Sequence, residues 1–254
     1  LYIREFSSGI FGVYAEADFR ISSFMALRAG SRFEKIQFQP EPYLVPRLSL
    51  SFRTGELSQI NVAYGQFYQV PQMQFLLANS IMLQERADHY MLSYQLTGKG
   101  RTFRIETYQK QYKDLVLMNQ DGITNNGNGY ARGADLFWRD SKSVSNLDYW
   151  VSYSFLDTER FYEEFFTSAS PSFSSKHNAS FVSKFFVSSI RTQFGFTYSF
   201  ASGRPYTDPN KGGLQDQLTP AYHDLSANAS FLIKPNIILH GSVSNLLGTQ
   251  NIFG

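Results

Sequence analysis

The residues best able to do acid–base or metal chemistry are four histidines, His89, His177, His223 and His240. None is spaced as a metal-ligand pair. Cysteine is absent, which excludes a thiolate nucleophile, a cysteine metal site and a disulfide framework. His177, Asn178 and Ser180 contain the residue types of a membrane lipase: a nucleophile, a base and a polar orienter. On a strand, however, neighbours point to opposite faces, so His177 and Asn178 would not serve one site. Met73 and Met82 sit in an apolar run, where methionine fills space more often than it binds copper. These residues predict no enzyme, no cofactor and no metal site.

A second set suits recognition. Gln66, Tyr68 and Gln69, then Asn125, Asn126 and Asn128, then Arg204, Tyr206 and Asp208, then Tyr222, His223 and Asp224 fall at strand ends or in loops. Rings beside amides suit a sugar or an aromatic chelate, and an arginine suits an anion. For the tyrosines the competing reading is a girdle at a membrane interface. Arg104, Glu106, Asp135, Arg139 and Asp148 alternate with apolar residues. They read as a wet wall, either a solvated charge lattice or a grip on something enclosed.

The elements that would carry these residues are strands. In the stretch Arg191 to Tyr206, Phe194, Phe196, Tyr198 and Phe200 share one face, and Gln193, Gly195, Thr197 and Ser199 the other. The same alternation recurs in Gly12 to Ile21 and its return strand, and in hairpins over 47–69, 88–117, 130–162, 177–204 and 222–247. Leu1 to Phe6 reads as a strand end, and the alternation blurs near Gly65 as at a bulge. Between hairpins lie 37–46, with three prolines, and 70–85, apolar and with room for a short helix. The Gly- and Asn-rich 119–129 reads as a flexible loop, followed by 163–176 and 205–221. This predicts about twelve strands of roughly 8–16 residues, with short and long connections alternating.

That asymmetry favours an all-β transmembrane antiparallel barrel over a soluble sandwich, whose Greek-key crossings mix the connections. Aromatics make up 17% of the chain and charged residues 17%, the latter below the roughly 25% of soluble domains. The net charge is +2, from 23 basic and 21 acidic residues, with no basic excess to bind nucleic acid. No apolar run reaches the roughly 18 residues of a membrane-spanning helix. The chain 1–254 reads as one domain that opens in mid-strand, which predicts a piece of something longer.

Eight segments carry a resemblance: PRLSLSF from Pro46, AYGQFYQVP from Ala63, RIETYQKQYKDL from Arg104, NGNGYARGADLFWRD from Asn126, YWVSYSFLDTER from Tyr149, YSFASGRPYT from Tyr198, TPAYHDLSANASF from Thr219 and VSNLLGTQNIFG from Val243. In this order they resemble the C-terminal part of the barrel of TonB-dependent outer-membrane receptors, in the form common among the Bacteroidetes. The resemblance implies a barrel of about 22 strands plugged by a separate N-terminal domain. It implies uptake of a ligand such as a siderophore, another metal chelate or an oligosaccharide, across the outer membrane of a Gram-negative bacterium. The implied partners are outer-membrane lipid, the plug, the TonB–ExbB–ExbD complex acting through the plug, and, as in glycan importers, a surface lipoprotein. Against that pattern the sequence reads as a barrel segment without the plug or the TonB box and ending before the last strands, which predicts that this piece alone is no gated transporter. Alternation and loop asymmetry alone equally fit a passive porin-like channel, or an outer-membrane lipid hydrolase.

Overall fold

The computed structural model describes residues 8–39, 41–79, 81–120 and 122–251. The strand end expected over Leu1 to Phe6 lies outside them. The strands run β1 (Ile10–Arg20), β2 (Met25–Ile36), β3 (Tyr43–Arg53), β4 (Ser58–Gln69), β5 (Glu85–Gly98), β6 (Arg101–Asn119), β7 (Gly122–Asp140), β8 (Leu147–Phe161), β9 (His177–Val187) and β10 (Thr192–Ala201). Two short strands, β11 (Pro205–Tyr206) and β12 (Gln217–Leu218), pair only with each other. β13 (Tyr222–Lys234) and β14 (Ile237–Val243) follow, and a helix α1 (Met73–Ala78) sits between β4 and β5. All strands except β11 and β12 form one twelve-stranded antiparallel sheet in sequence order.

The register turns sequence alternation into two faces. Phe52, Ile60, Tyr94, Ile105, Leu136 and Tyr153 are successive cross-strand partners and make one continuous apolar row. The adjacent row runs Ser51, Asn61, Ser93, Glu106, Asp135 and Ser154 on the opposite face. Val62 and Leu92 on the apolar face are 46% and 50% exposed. A row of bare aliphatic and aromatic side chains beside a wet face is what a barrel wall between lipid and water requires. Nearer the end of the sheet that carries the long connections, the outer row becomes Leu48, Tyr64, Tyr90, Gln109, Arg132 and Asp157. The apolar band therefore ends at that row in β6 to β8.

Short turns close one end. Lys99 and Gly100 both have positive φ, 56° and 78°, the backbone a two-residue hairpin needs to match strand twist. At the other end three expectations are corrected. Residues 37–46 are not all loop: Tyr43 to Pro46 belong to β3 and pair with β2. Pro46 has no N–H to donate, and the β3–β4 ladder begins only at Arg47 opposite Gly65. Gly65 carries no bulge, since β4 pairs with β5 without a register shift through Gly65 and His89.

The third correction is the largest. Most of 119–129 is not a flexible loop but the tip of the β6–β7 hairpin, paired through Leu115–Gly127, Leu117–Thr124 and Asn119–Gly122. Both strands have 19 residues, beyond the expected length. At about 3.3 Å per residue each spans roughly 60 Å, about twice what crosses a bilayer. The glycines of this tip mark close packing. A Cβ on Gly127 would lie 2.7 Å from the carbonyl oxygens of Leu115 and Phe161.

α1 folds against this hairpin. Phe75, Leu76, Met82 and Val116 form a buried cluster, flanked by Phe38, Val70, Met118 and Ile123. The Asn79 side-chain amide donates to the Ile123 carbonyl at 3.0 Å. Asn125 accepts from the Leu83 N–H at 2.9 Å and donates to the Asp114 carbonyl at 2.9 Å. Together these contacts pin the 70–84 connection to the base of the projecting hairpin.

Candidate functional site

The inner face is a charged wall. Arg28 meets Asp18 at 2.7 Å and Glu16 at 3.5 Å, and Arg32 meets Glu34 at 2.7 Å. Arg139 grips Asp148 with two hydrogen bonds, at 2.9 and 2.7 Å. The Trp150 ring lies between Arg139, at 5.8 Å, and Lys184, at 5.4 Å. Glu106 and Asp135 stand directly opposite each other. These exposed pairs add little stability, and their consequence is a hydrated surface of fixed charge.

Toward the long-connection end, β7 presents only small inner residues: Gly127, Gly129, Ala131 and Gly133. The side chains of β6 and β8 lie over this trough. An added Cβ on Gly133 would meet the Tyr108 ring carbon at 2.7 Å. Tyr112, Gly129 and Arg160 form one row, and the Arg160 guanidinium crosses Gly129 to sit 4.4 Å from the Tyr112 ring centre. Tyr162 and Phe173 flank the same guanidinium at 5.6 and 5.4 Å. One row below, Lys110 lies over the Tyr108 ring at 5.3 Å.

The connection 162–176 is fixed beside this cluster by Glu163. Its N–H donates to the Val116 carbonyl at 2.6 Å, and its carbonyl accepts from Met118 N–H at 2.7 Å. Burial, and then Glu85 and Glu164, raise the Glu163 carboxyl above the usual carboxylate range, and Arg160 only partly offsets them.

The residues expected to touch ligand fall into separate places. Arg204 and Tyr222 line a cavity of about 250 Å³ with Asn178, Ser199, Thr219 and Pro220. Asp224 follows Tyr222 on the same face, opposite Ser199, and accepts hydrogen bonds from the Ser226 hydroxyl and the Asn245 N–H. His223 points to the other face, opposite Phe200, with Nδ1 2.9 Å from the Tyr198 hydroxyl. Tyr206 lies in β11 opposite Gln217, and Asp208 accepts from the Asn210 N–H at 2.9 Å.

Gln66 lies on the face of Tyr64, donates to that hydroxyl at 2.9 Å and stands opposite Asp88. Tyr68 stacks obliquely on Tyr43 at 4.7 Å, and Gln69 ends β4 opposite Glu85. Asn126 and Asn128 are strand residues of β7, on the face of Tyr130. Among the described residues, Arg204 and Tyr222 share a cavity, and Asp224 lies beside it on the face of Tyr222. The Tyr112–Arg160–Phe173 cluster escaped the sequence reading. The signal for it was glycine at alternate inner positions of NGNGYARG, each marking a neighbour's side chain lying across it.

The family described as "TonB dependent receptor-like, beta-barrel" matches residues 2–246. The chain belongs to that family. Among solved structures, the FrpB iron transporter of Neisseria meningitidis is similar at 16% identity and a TM-score of 0.78, covering 95% of this chain and 41% of that one. The ferric-catecholate import receptor Fiu of Escherichia coli K12 has 11% identity, a TM-score of 0.78 and the same two coverages. The siderophore receptor PirA of Pseudomonas aeruginosa has 13% identity and a TM-score of 0.72, covering 96% of this chain and 44% of that one. At these identities the likeness is one of fold. No curated protein matches by sequence.

The TonB-dependent receptor barrel here thus spans about two-fifths of the length of the receptors it resembles. The match is to the barrel family as a whole and does not single out the Bacteroidetes form. The solved neighbours bear the names of receptors and transporters.

Proposed function

We propose that this chain is part of the wall of an outer-membrane receptor that takes up a ligand with energy delivered through TonB. The observation that carries the reading is the family match over 2–246 together with a sheet whose outer face is apolar and whose inner face is charged. In this reading the apolar band of Ile60, Tyr94, Ile105, Leu136 and Tyr153 lies in the outer membrane of a Gram-negative bacterium. The long-connection end, with the β6–β7 hairpin, faces the outside. A plug domain of the same protein fills the inner face, and the TonB–ExbB–ExbD complex acts on the plug. Similarity to iron and siderophore receptors favours a ferric chelate over an oligosaccharide, and the arginine-containing cavity of Arg204 and Tyr222 is a candidate contact. A surface lipoprotein partner belongs to the oligosaccharide version of this reading.

The test is radioactive iron accumulation by cells carrying the full-length protein, supplied with ferric catecholates, ferric hydroxamates or ferric citrate. The expected result is saturable accumulation from at least one chelate, abolished when the TonB complex is deleted. Accumulation that continues without TonB would overturn the energised reading and leave a passive channel. No accumulation from any chelate would remove the ferric ligand.

A further inference from the structure

We propose that Arg160, with the rings of Tyr112, Tyr162 and Phe173, is an anion site near the mouth that takes a flat acidic group, such as an aromatic carboxylate, from an incoming ligand. The inference rests on the reading of the inner face as the side a ligand enters.

The guanidinium reaches its place because Gly129 has no side chain: a Cβ there would lie 3.0 Å from the Arg160 Cγ. Three rings surround the cation within 4.4 to 5.6 Å. Among the described residues Arg160 forms no ion pair, and its buried Nε has no hydrogen-bond partner. Among the other wall arginines, Arg47 is likewise stacked, on Phe67 at 4.9 Å, while three hold carboxylates. Arg28, Arg32 and Arg139 each hold a carboxylate at 2.7 Å. Arg160 is stacked instead, which leaves the fork of N–H donors without an anion to accept from them.

The chemistry follows from that difference. A planar guanidinium offers parallel N–H bonds that match a carboxylate or a phosphate bidentately. Stacked rings hold it in place, so little side-chain freedom is lost when the anion arrives. The same rings give a flat acidic group a surface to lie on. Lys110, one row below, adds positive charge to the trough. Phe173 is 56% exposed, which keeps the cluster open on the side of the 162–176 connection. The site also lies beyond the apolar band, since its outer-face neighbour in β8 is Glu159. It is therefore reached from water rather than from lipid.

The probe is 4-fluorobenzoate, followed by fluorine NMR line broadening with the purified full-length protein in detergent. The neutral isostere 4-fluorobenzamide tests the charge requirement, and competition by cyclohexanecarboxylate against benzoate tests the ring. The wild-type protein is expected to broaden the benzoate signal and not the benzamide signal, and benzoate is expected to compete better than cyclohexanecarboxylate. Arg160→Gln should weaken benzoate binding about tenfold, the scale of one lost charge-assisted hydrogen bond.

Tyr112→Leu and Phe173→Leu keep the charge and should weaken binding by smaller factors. They keep the test sharp if Arg160→Gln fails the heat-modifiable gel shift that reports a folded barrel. Absence of benzoate broadening, equal broadening by benzamide, or unchanged binding in the folded variants would overturn the site. Cellular uptake separates the two readings. Energised uptake with no benzoate binding removes only this site, whereas benzoate binding with TonB-independent uptake removes only the transport reading.

Discussion

Replacing Gly129 by alanine adds one methyl group at the centre of the inner trough. That Cβ would sit 2.6 Å from the Glu159 carbonyl oxygen and 3.0 Å from both the Cα and the Cγ of Arg160. Carbon contacts are comfortable near 3.5 Å, so β7 and β8 must separate locally or Arg160 must swing away. Overpacking of this kind costs about 1–3 kcal/mol. Loss of the Tyr112–Arg160 stack adds about 0.5–1 kcal/mol. The alanine also narrows the unfolded ensemble, a gain of about 0.4–1 kcal/mol that any glycine-to-alanine change shares.

The control is therefore Gly212→Ala in the 202–221 connection, where nothing lies within 4 Å of the added atom. The difference between the two variants isolates the contact cost, expected at about 1.5–4 kcal/mol. Guanidinium unfolding of the full-length protein in lipid vesicles measures it. Trp138 and Trp150 lie in the two strands concerned, so in full-length protein whose tryptophans outside this chain have been replaced their fluorescence reports this region. Variants that agree within about 0.5 kcal/mol would refute the close packing of Arg160 over Gly129.

Other consequences are equally concrete. Leu136→Arg on the outer apolar row should cost about 2–4 kcal/mol and lower the folded, membrane-inserted fraction. Asp135→Asn, its neighbour on the inner face, should leave that fraction unchanged on the same gel. Met82→Ala in the cluster under α1 should cost about 2–5 kcal/mol locally, seen as faster proteolysis within 70–84. The Glu163 carboxyl titrates above its unfolded value, so its contribution is present below the unfolded pKa and is lost as pH rises through the folded one. Proteolysis within 162–176 should therefore be slower near pH 5 than near pH 7.5, and Glu163→Gln should remove that dependence.

The outer and inner faces were legible because side-chain period survives in sequence. Ile60, Val62 and Tyr64 against Gln59, Asn61 and Ala63 need no tertiary knowledge to sort. The β6–β7 tip was not legible, because Asn and Gly carry turn propensity and hide a strand. Its ladder is imposed by the β6 backbone, with Asn125 and the α1 connection bracing it. The stretch 37–46 misled for a related reason. A proline reads as a break, yet Pro46 stands opposite Ser31 within the β2–β3 register. Among the candidate contacts, Tyr222 and Asp224 are near neighbours in the sequence, whereas Arg204 joins Tyr222 only through the fold. Tyr112 and Arg160 are separated by β7 and meet only across a glycine, a relation that emerges once the register is known.

The central claim is that this sheet stands in the outer membrane with the long connections outside. Because the chain contains no cysteine, single cysteines can be read cleanly in full-length protein whose cysteines outside this chain have been replaced. Gln120 lies at the tip of the β6–β7 hairpin and Glu56 in the short turn between β3 and β4, and both are exposed. Cells carrying Gln120→Cys or Glu56→Cys are treated with a membrane-impermeant maleimide, intact and after permeabilising the outer membrane. The account predicts labelling of Gln120→Cys in intact cells, and of Glu56→Cys only after permeabilisation. Labelling of both in intact cells, or the reverse order, would contradict it.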